Sequence, residues 1–141
     1  MPEFQHQRAL GFDFGDRRIG VASGQTLSGT AGPLTMLPAR DGIPDWSRIE
    51  ALISEWQPDV LVVGLPLNMD GSESEMSRRA RKFGRRLEAW YGRPVVMVDE
   101  RLTSYEAKGQ VMAEGGSQDF GRDGVDDRAA VLILQTWLTG G

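Results

Sequence analysis

Cysteine is absent from the 141 residues, and histidine occurs once, as His6. The first absence removes disulfides, thiolate zinc sites and thiol nucleophiles together, and it fits a cytoplasmic protein. The second leaves a single imidazole near a terminus prone to fray, a poor ligand or base. No apolar run approaches the length of a membrane span, and Met1–Gln7 has no signal-peptide core, so no membrane is expected among the partners. Neither a P-loop lysine nor a GxGxxG fingerprint occurs, which leaves an ATPase little support. An excess of positive charge is missing too. The net charge is −4, so any binding of nucleic acid must use a local patch. What is present is an ordinary globular composition, 40% hydrophobic and 26% charged, enough for one domain over residues 1–141.

The most unusual local chemistry lies between residues 8 and 24. Leu10, Phe12 and Phe14 share one face of a predicted strand, because strand side chains alternate with period two. Ala9, Gly11 and Asp13 take the other face, so a carboxylate points to a side whose neighbours are nearly bare backbone. A charge inside a sheet is costly unless it is paired or bound to a cation. The small neighbours leave room for something to come close. Gly15, Arg17 and Arg18 make a turn, from which Ile19 and Val21 start a return strand. Capping that turn is the plainer role for Asp13, and chemistry requires partners from elsewhere in the chain.

Further along, Gln25–Gly32 reads as a small-residue loop, Leu34 and Met36 as a third strand bracketed by Pro33 and Pro38, and Asp41–Pro44 as a linker. Asp45 is the expected N-cap of a helix with Trp46, Ile49, Leu52, Ile53 and Trp56 as its apolar stripe, stopped by Pro58. Val60-Leu61-Val62-Val63 has the continuous apolar character of a strand buried on both faces. Beyond a glycine-bearing loop, Ser72 and Glu75 form the expected capping box of a second helix, with Met76, Ala80, Phe83, Leu87 and Trp90 on its inner stripe. Arg78, Arg81, Lys82 and Arg85 project from the opposite face, with Arg79 and Arg86 at its border. Six of the 16 basic residues thus lie on one helix. A nearly pure single-sign face in an acidic protein favours a phosphate-facing patch over plain solvated surface. Pro94–Val98 is a strand running into Asp99-Glu100. Thr103 with Glu106 opens a helix ending at Gly115-Gly116, Ser117–Gly124 is a loop, and the last helix runs from about Val125 to Leu138.

Three acidic positions stand out: Asp13 in its glycine-lined strand, Glu100 at the carboxyl end of a buried strand, and the Asp126-Asp127 pair opening the last helix. Ligand sites in α/β sheets gather at strand carboxyl ends, which suits Glu100. The first turn of a helix favours Asp for dipole reasons alone, which leaves a capping role open to one of the final pair, and helical projection does not choose between them. If such carboxylates converge, two charges about 4 Å apart at an effective dielectric near 20 repel by about 4 kcal/mol. A domain is stable by only about 5–15 kcal/mol, so the cluster must protonate or bind cations. All-oxygen ligands suit Mg²⁺ or Mn²⁺, and ions held this way serve phosphodiester hydrolysis.

Five blocks together resemble the YqgF family. They are Gly11-Phe12-Asp13-Phe14-Gly15, Arg18-Ile19-Gly20-Val21-Ala22, Val63–Gly71, Asp99–Ser104, and Val125-Asp126 with Ala130 and Ile133-Leu134. These bacterial proteins have a ribonuclease-H-like fold similar to RuvC-type Holliday junction resolvases, and the likeness covers nearly the whole chain. It implies an α/β architecture with a five-stranded mixed sheet: a three-strand antiparallel meander plus two crossover strands, flanked by helices. It implies a divalent-metal nuclease whose acidic residues are Asp13, Glu100 and Asp126, and so it selects Asp126 over Asp127. The expected task is processing the 5′ end of pre-16S ribosomal RNA. The older reading is cleavage of branched DNA, for which a homodimer would be favoured by symmetry. Ala129 and Ala130 stand where a resolvase would commonly carry a fourth acidic residue, which counts against that reading. Arg18, Asn68 and Arg101 are expected to contact phosphate, and Arg78, Arg81, Lys82 and Arg85 the flanking nucleic acid. For Arg101 a salt bridge orienting a carboxylate is the alternative. A non-catalytic RNA- or protein-binding module is the rival from another class. Three retained, mutually repelling charges argue against it.

Overall fold

In a computed structural model of the chain, residues 6–102 and 123–140 are described, those from 123 to 127 by their backbone alone. In chain order the strands and helices are β1 (Arg8–Asp13), β2 (Arg18–Gln25), β3 (Thr30–Arg40), β4 (Ile43–Pro44), α1 (Trp46–Trp56), β5 (Val60–Leu65), α2 (Glu75–Tyr91), β6 (Val95–Asp99) and α3 (Asp123–Leu138). They form one mixed sheet in the order β4-β3-β2-β1-β5-β6. Pairing is antiparallel from β1 through β4 and parallel across β1, β5 and β6. The predicted meander and the two crossover strands are therefore present. The helix opened by Thr103 and Glu106 lies outside the described residues, as does the Ser117–Gly124 loop apart from Asp123 and Gly124, which begin α3.

Six strands stand where five were expected. The segment read as a linker is a tight hairpin: Asp41 and Gly42 adopt left-handed conformations (φ 54° and 79°), and Arg40 faces Ile43 across the turn. Two central residues with positive φ match the right-handed twist of the flanking strands, which is why an Asp-Gly pair marks such turns. β3 also runs longer than the prolines suggested. It lies next to the edge, paired beyond β2 only with the two residues of β4, so the missing N–H groups of Pro33 and Pro38 disturb little.

Period two divides the core. Leu10, Phe12, Ile19, Val21, Leu61 and Val63 face α1 and α2, while Ala9, Ala22, Val60, Val62 and Val98 face α3. The first face is thick with rings: Phe83 of α2 meets Phe12, Phe14 and Trp46 at centroid separations of 5.7, 5.4 and 5.6 Å. The second face is thin, so α3 comes close to the backbone. A Cβ placed on Gly11 would stand 2.8 Å from that of Leu134 and 3.3 Å from the carbonyl oxygen of Ala130.

Asp45 caps α1 as expected, accepting from the backbone N–H of Ser47 at 3.1 Å. The capping box of α2 is formed by Ser74 and Ser77 instead of Ser72 and Glu75, because Ser77 also donates its hydroxyl to the carbonyl of Pro66 and fixes the start of the helix. On α2, Ala80, Phe83 and Leu87 are buried, but Trp90 is 55% exposed, contrary to its place on the predicted inner stripe. Truncating the ring at the centre of the aromatic cluster tests this packing. Phe83→Ala should lower the unfolding free energy by about 3–5 kcal/mol, read from urea denaturation monitored by circular dichroism.

Candidate active site at the carboxyl ends of the parallel strands

Strands β1, β5 and β6 all end at the same rim of the sheet, in the register Phe12–Val63–Met97. One step on, Asp13 closes β1, Gly64 stands in β5 and Val98 in β6. Glu100 lies two residues past Val98, on the face that carries Ala9, Gly11 and Asp13. At Glu100 the chain leaves the strand and turns helical, and the side chain leans back over β5. It can do so because β5 has no side chain there. A Cβ on Gly64 would collide with the carboxylate oxygen Oε2 of Glu100 and sit 2.5 Å from Cδ1 of Ile133. The glycine is a notch, and Glu100 fills it.

Two consequences follow for charge. Burial raises the pKa of Glu100 from 4.5 to about 7, and the negative charges of Asp13 and then Asp99 add to the effect. Asp13 is half-buried on the same face. Its neighbour in sequence takes the opposite course. Asp99, on the other face of β6, is held ionised below the usual carboxylate range by the guanidinium of Arg101. That guanidinium donates to both Asp99 oxygens, from Nη2 at 2.7 Å and from Nε at 3.1 Å, and to the carbonyl of Met69 at 3.2 Å. Adjacent carboxylates are thus driven apart in acidity by the two sides of one strand.

Asp13 and Glu100 are therefore brought together from opposite parts of the chain. The side chain of Asp126 lies outside those described, but its place on the backbone is clear. Cδ1 of Leu138 and Cδ2 of Leu134 lie against Gly24, the partner of Ala9, and Leu134 and Ala130 lie against Gly11. α3 therefore runs antiparallel to β1, and its first turn, which contains Asp126, lies over the end of the strand where Asp13 stands. Among the described residues no three acidic, histidine or cysteine side chains form a metal cage. The chemistry of the pair nevertheless fits a hard dication: oxygen donors only, two carboxylates on one face, with the proton on Glu100 held toward neutrality by burial and by Asp13.

The other predicted residues are spread around this rim. Arg18 is exposed at the start of β2, close to the turn after Asp13. Asn68 supports its own loop, donating its side-chain amide to Oγ of Ser72 at 3.0 Å and its backbone N–H to the Ser72 carbonyl at 2.9 Å. Arg101 forms the salt bridge weighed as its alternative role, to Asp99, and through Met69 it ties the same loop to β6. On α2, Arg81 pairs with Glu73 at 2.7 Å, while Arg78, Lys82 and Arg85 are exposed and unpaired among the described residues. Gly64 and Asp99 were not singled out from the sequence. A lone glycine closing an otherwise β-branched run signals close approach, and it was the available clue.

A mixed sheet of this order is the fold of the RuvC-type resolvases. RuvC of Thermus thermophilus, solved in complex with a Holliday junction substrate, matches with a TM-score of 0.61 at 13% identity over 95% of this chain and 94% of that one. The fowlpox virus Holliday junction resolvase matches with a TM-score of 0.53 at 13% identity, over 95% of this chain and 99% of its own. The chain belongs to the family described as RuvX, Holliday junction resolvase, which matches residues 7–140 and is the family its motifs anticipated. A protein of Marinobacter nauticus named "Putative pre-16S rRNA nuclease" is 71% identical over 97% of this chain and 96% of its own length. One of Pseudomonas aeruginosa with the same name is 58% identical over 92% and 90%.

The raised pKa of Glu100 has a measurable signature. Below pH 4.5 the residue is protonated in both the folded and the unfolded chain. Between 4.5 and about 7 only the folded chain keeps the proton, so the stability of metal-free protein should fall as pH rises through that window and level off above it. Glu100→Gln should flatten this part of the profile, as followed by urea titrations across pH. Gly64→Ala, by pushing the carboxylate out of its notch, should also reduce the slope.

Proposed function

We propose that this chain is a divalent-metal-dependent nuclease that hydrolyses phosphodiester bonds in the precursor of 16S ribosomal RNA, with Asp13, Glu100 and Asp126 as its acidic ligand set. The observation that carries the reading is the Glu100 carboxylate lying in the Gly64 notch, near enough to Asp13 for their charges to couple. Burial of Glu100 and its repulsion by Asp13 both disfavour the ionised carboxylate in the metal-free fold. Such a cost is understandable where a cation completes the site. Family membership supports nuclease chemistry, and the names of the relatives support an RNA precursor over branched DNA.

In this reading Asp13, Glu100 and Asp126 would be the residues that hold Mg²⁺ or Mn²⁺. When bound, the metal supplies Lewis-acid stabilisation of the charge that develops on the phosphodiester oxygens. Glu100 must release its proton in order to coordinate, so metal affinity is tied to pH. The Arg101–Asp99 pair keeps the Asn68–Gly71 loop at the rim. Arg18, Asn68 and the exposed cations of α2 (Arg78, Lys82 and Arg85) provide contacts to phosphate, with Arg81 joining them where it leaves Glu73.

Two measurements test the proposal. Purified protein is offered a ribosomal RNA precursor, a four-way DNA junction and single strands, with Mg²⁺ or Mn²⁺ and with chelator. Metal-dependent cleavage of the RNA is expected, and Asp13→Asn should abolish it while leaving metal-free protein at least as stable in a thermal melt. Preferential cutting of the junction would establish the resolvase reading instead. Loss of stability in Asp13→Asn would show that Asp13 serves folding. By calorimetry, Mn²⁺ affinity should rise as pH increases through about 7, with proton release.

A further inference from the structure

On the other side of the same rim, helix α2 carries a second arrangement that the acidic site does not use. Arg79, Lys82, Arg86 and Trp90 follow one another at intervals of three, four and four residues, forming a single stripe. Opposite them stands Trp46, the first residue of α1, with Ile43 of β4 beside it. Beside Trp46 is a hollow of about 170 Å³ with Ile43, Phe83, Lys82 and Arg86 among its other walls and Asp41 as its lining carboxylate; Trp90 stands next to it, its ring against that of Trp46. Trp46 is held rigidly, stacked on Phe83 at 5.6 Å with an interplanar angle of 30° and meeting Trp90 edge-on at 4.5 Å and 72°. Trp90 and Ile43 are each 55% exposed. Arg79 is committed to Asp16 and to the carbonyl of Asp41, but Lys82 and Arg86 make no ion pair among the described residues.

Exposed indole next to unneutralised cations matches a ligand that presents flat π surfaces and negative charge at short intervals. Single-stranded nucleic acid does both, since its unpaired bases can stack on tryptophan while the adjacent phosphates meet lysine and arginine. A duplex offers the phosphates without the base faces. The position is also suitable. Phe14, which lines the hollow, directly follows Asp13 on the opposite face of β1, so a strand passing over the Asp13–Asp16 turn reaches both.

We infer that exposed Trp90, with the hollow beside Trp46, is a second, non-cleaving contact for a single-stranded segment of the substrate. A base stacks on Trp90, and phosphates meet Lys82 and Arg86. The inference rests on the nuclease reading and adds to it the strandedness of the flanking substrate and the side of the molecule over which it runs.

The test uses full-length protein carrying Asp13→Asn, so that nothing is cut, and a labelled single-stranded oligoribonucleotide followed by fluorescence anisotropy. Trp90→Ala should weaken binding by about five- to a hundred-fold, the range for losing one stacked base. Trp90→Phe should restore part of the affinity, and Lys82→Ala should weaken binding and lessen its salt dependence. A blunt duplex of the same sequence should respond to Lys82→Ala and hardly to Trp90→Ala. Circular dichroism melts check that both exposed positions leave the fold intact. Single-strand affinity unchanged by both variants, in a protein whose Asp13 form still cleaves, overturns the inference and leaves the active-site reading standing. So does loss of affinity that Trp90→Phe does not relieve at all, which would indicate a structural role. Affinity sensitive to both variants in a wild-type protein that cleaves nothing supports the contact and overturns the nuclease reading.

Discussion

Everything at the rim depends on how closely one helix can lie against the sheet. The face of β1, β2 and β5 under α3 is stripped of side chains at Gly11, Gly24 and Gly64, and Leu134, Ala130 and Ile133 settle onto the bare backbone. That contact fixes the direction of α3 and, with it, the location of its first turn. It also empties the space above β5 into which Glu100 folds. Steric permission is the primary constraint. The electrostatics follow from it, because a carboxylate admitted to a notch beside Asp13 is desolvated and repelled at once.

The two faces of the sheet divide the labour in a way that follows from period two. Toward α1 and α2 the strands present Phe12, Leu61 and Val63, a thick apolar layer around Phe83 that supplies most of the packing. Toward α3 they present alanine, glycine and valine, a thin layer that costs hydrophobic burial and gains proximity. Aromatic and aliphatic packing on one side thus supports tension between like charges on the other. The same division places Asp99 and Glu100, consecutive in sequence, in opposite electrostatic settings: one neutralised by Arg101 and tied to a loop, the other left with its proton.

The surface of α2 shows why charge alone is an incomplete description of a binding face. Its cations looked uniform along the helix, yet Arg79 and Arg81 are spent on Asp16 and Glu73, while Lys82 and Arg86 border a hollow walled by aromatic rings. An arginine already paired offers less to a phosphate than one without a partner. Helical spacing identifies which residues share a stripe. It does not say which acid on a neighbouring element has already claimed them.

Much of this was legible in the chain itself. Alternation set Asp13 apart from Phe12 and Phe14, the unbroken run Val60–Val63 marked a strand buried on both faces, and Asp45 announced the start of α1. Each of these is a local property, decided within a turn or two of backbone. The spacing of Ser72 and Glu75 was equally local and did not hold, because a hydroxyl bond from Ser77 to Pro66 moved the cap. Trp90 falls on the inner stripe by projection and is exposed, its ring resting edge-on against Trp46 of α1. The Asp-Gly hairpin needed only its turn chemistry to be taken at face value. The meeting of Asp13 with Glu100 was of another kind. Eighty-six residues and two crossovers separate them, and no local rule measures the gap between the strands that carry them. The chain alone supplied the acidic groups and the small neighbours. Tertiary packing decided that a missing side chain at Gly64 would let the two carboxylates share one desolvated space.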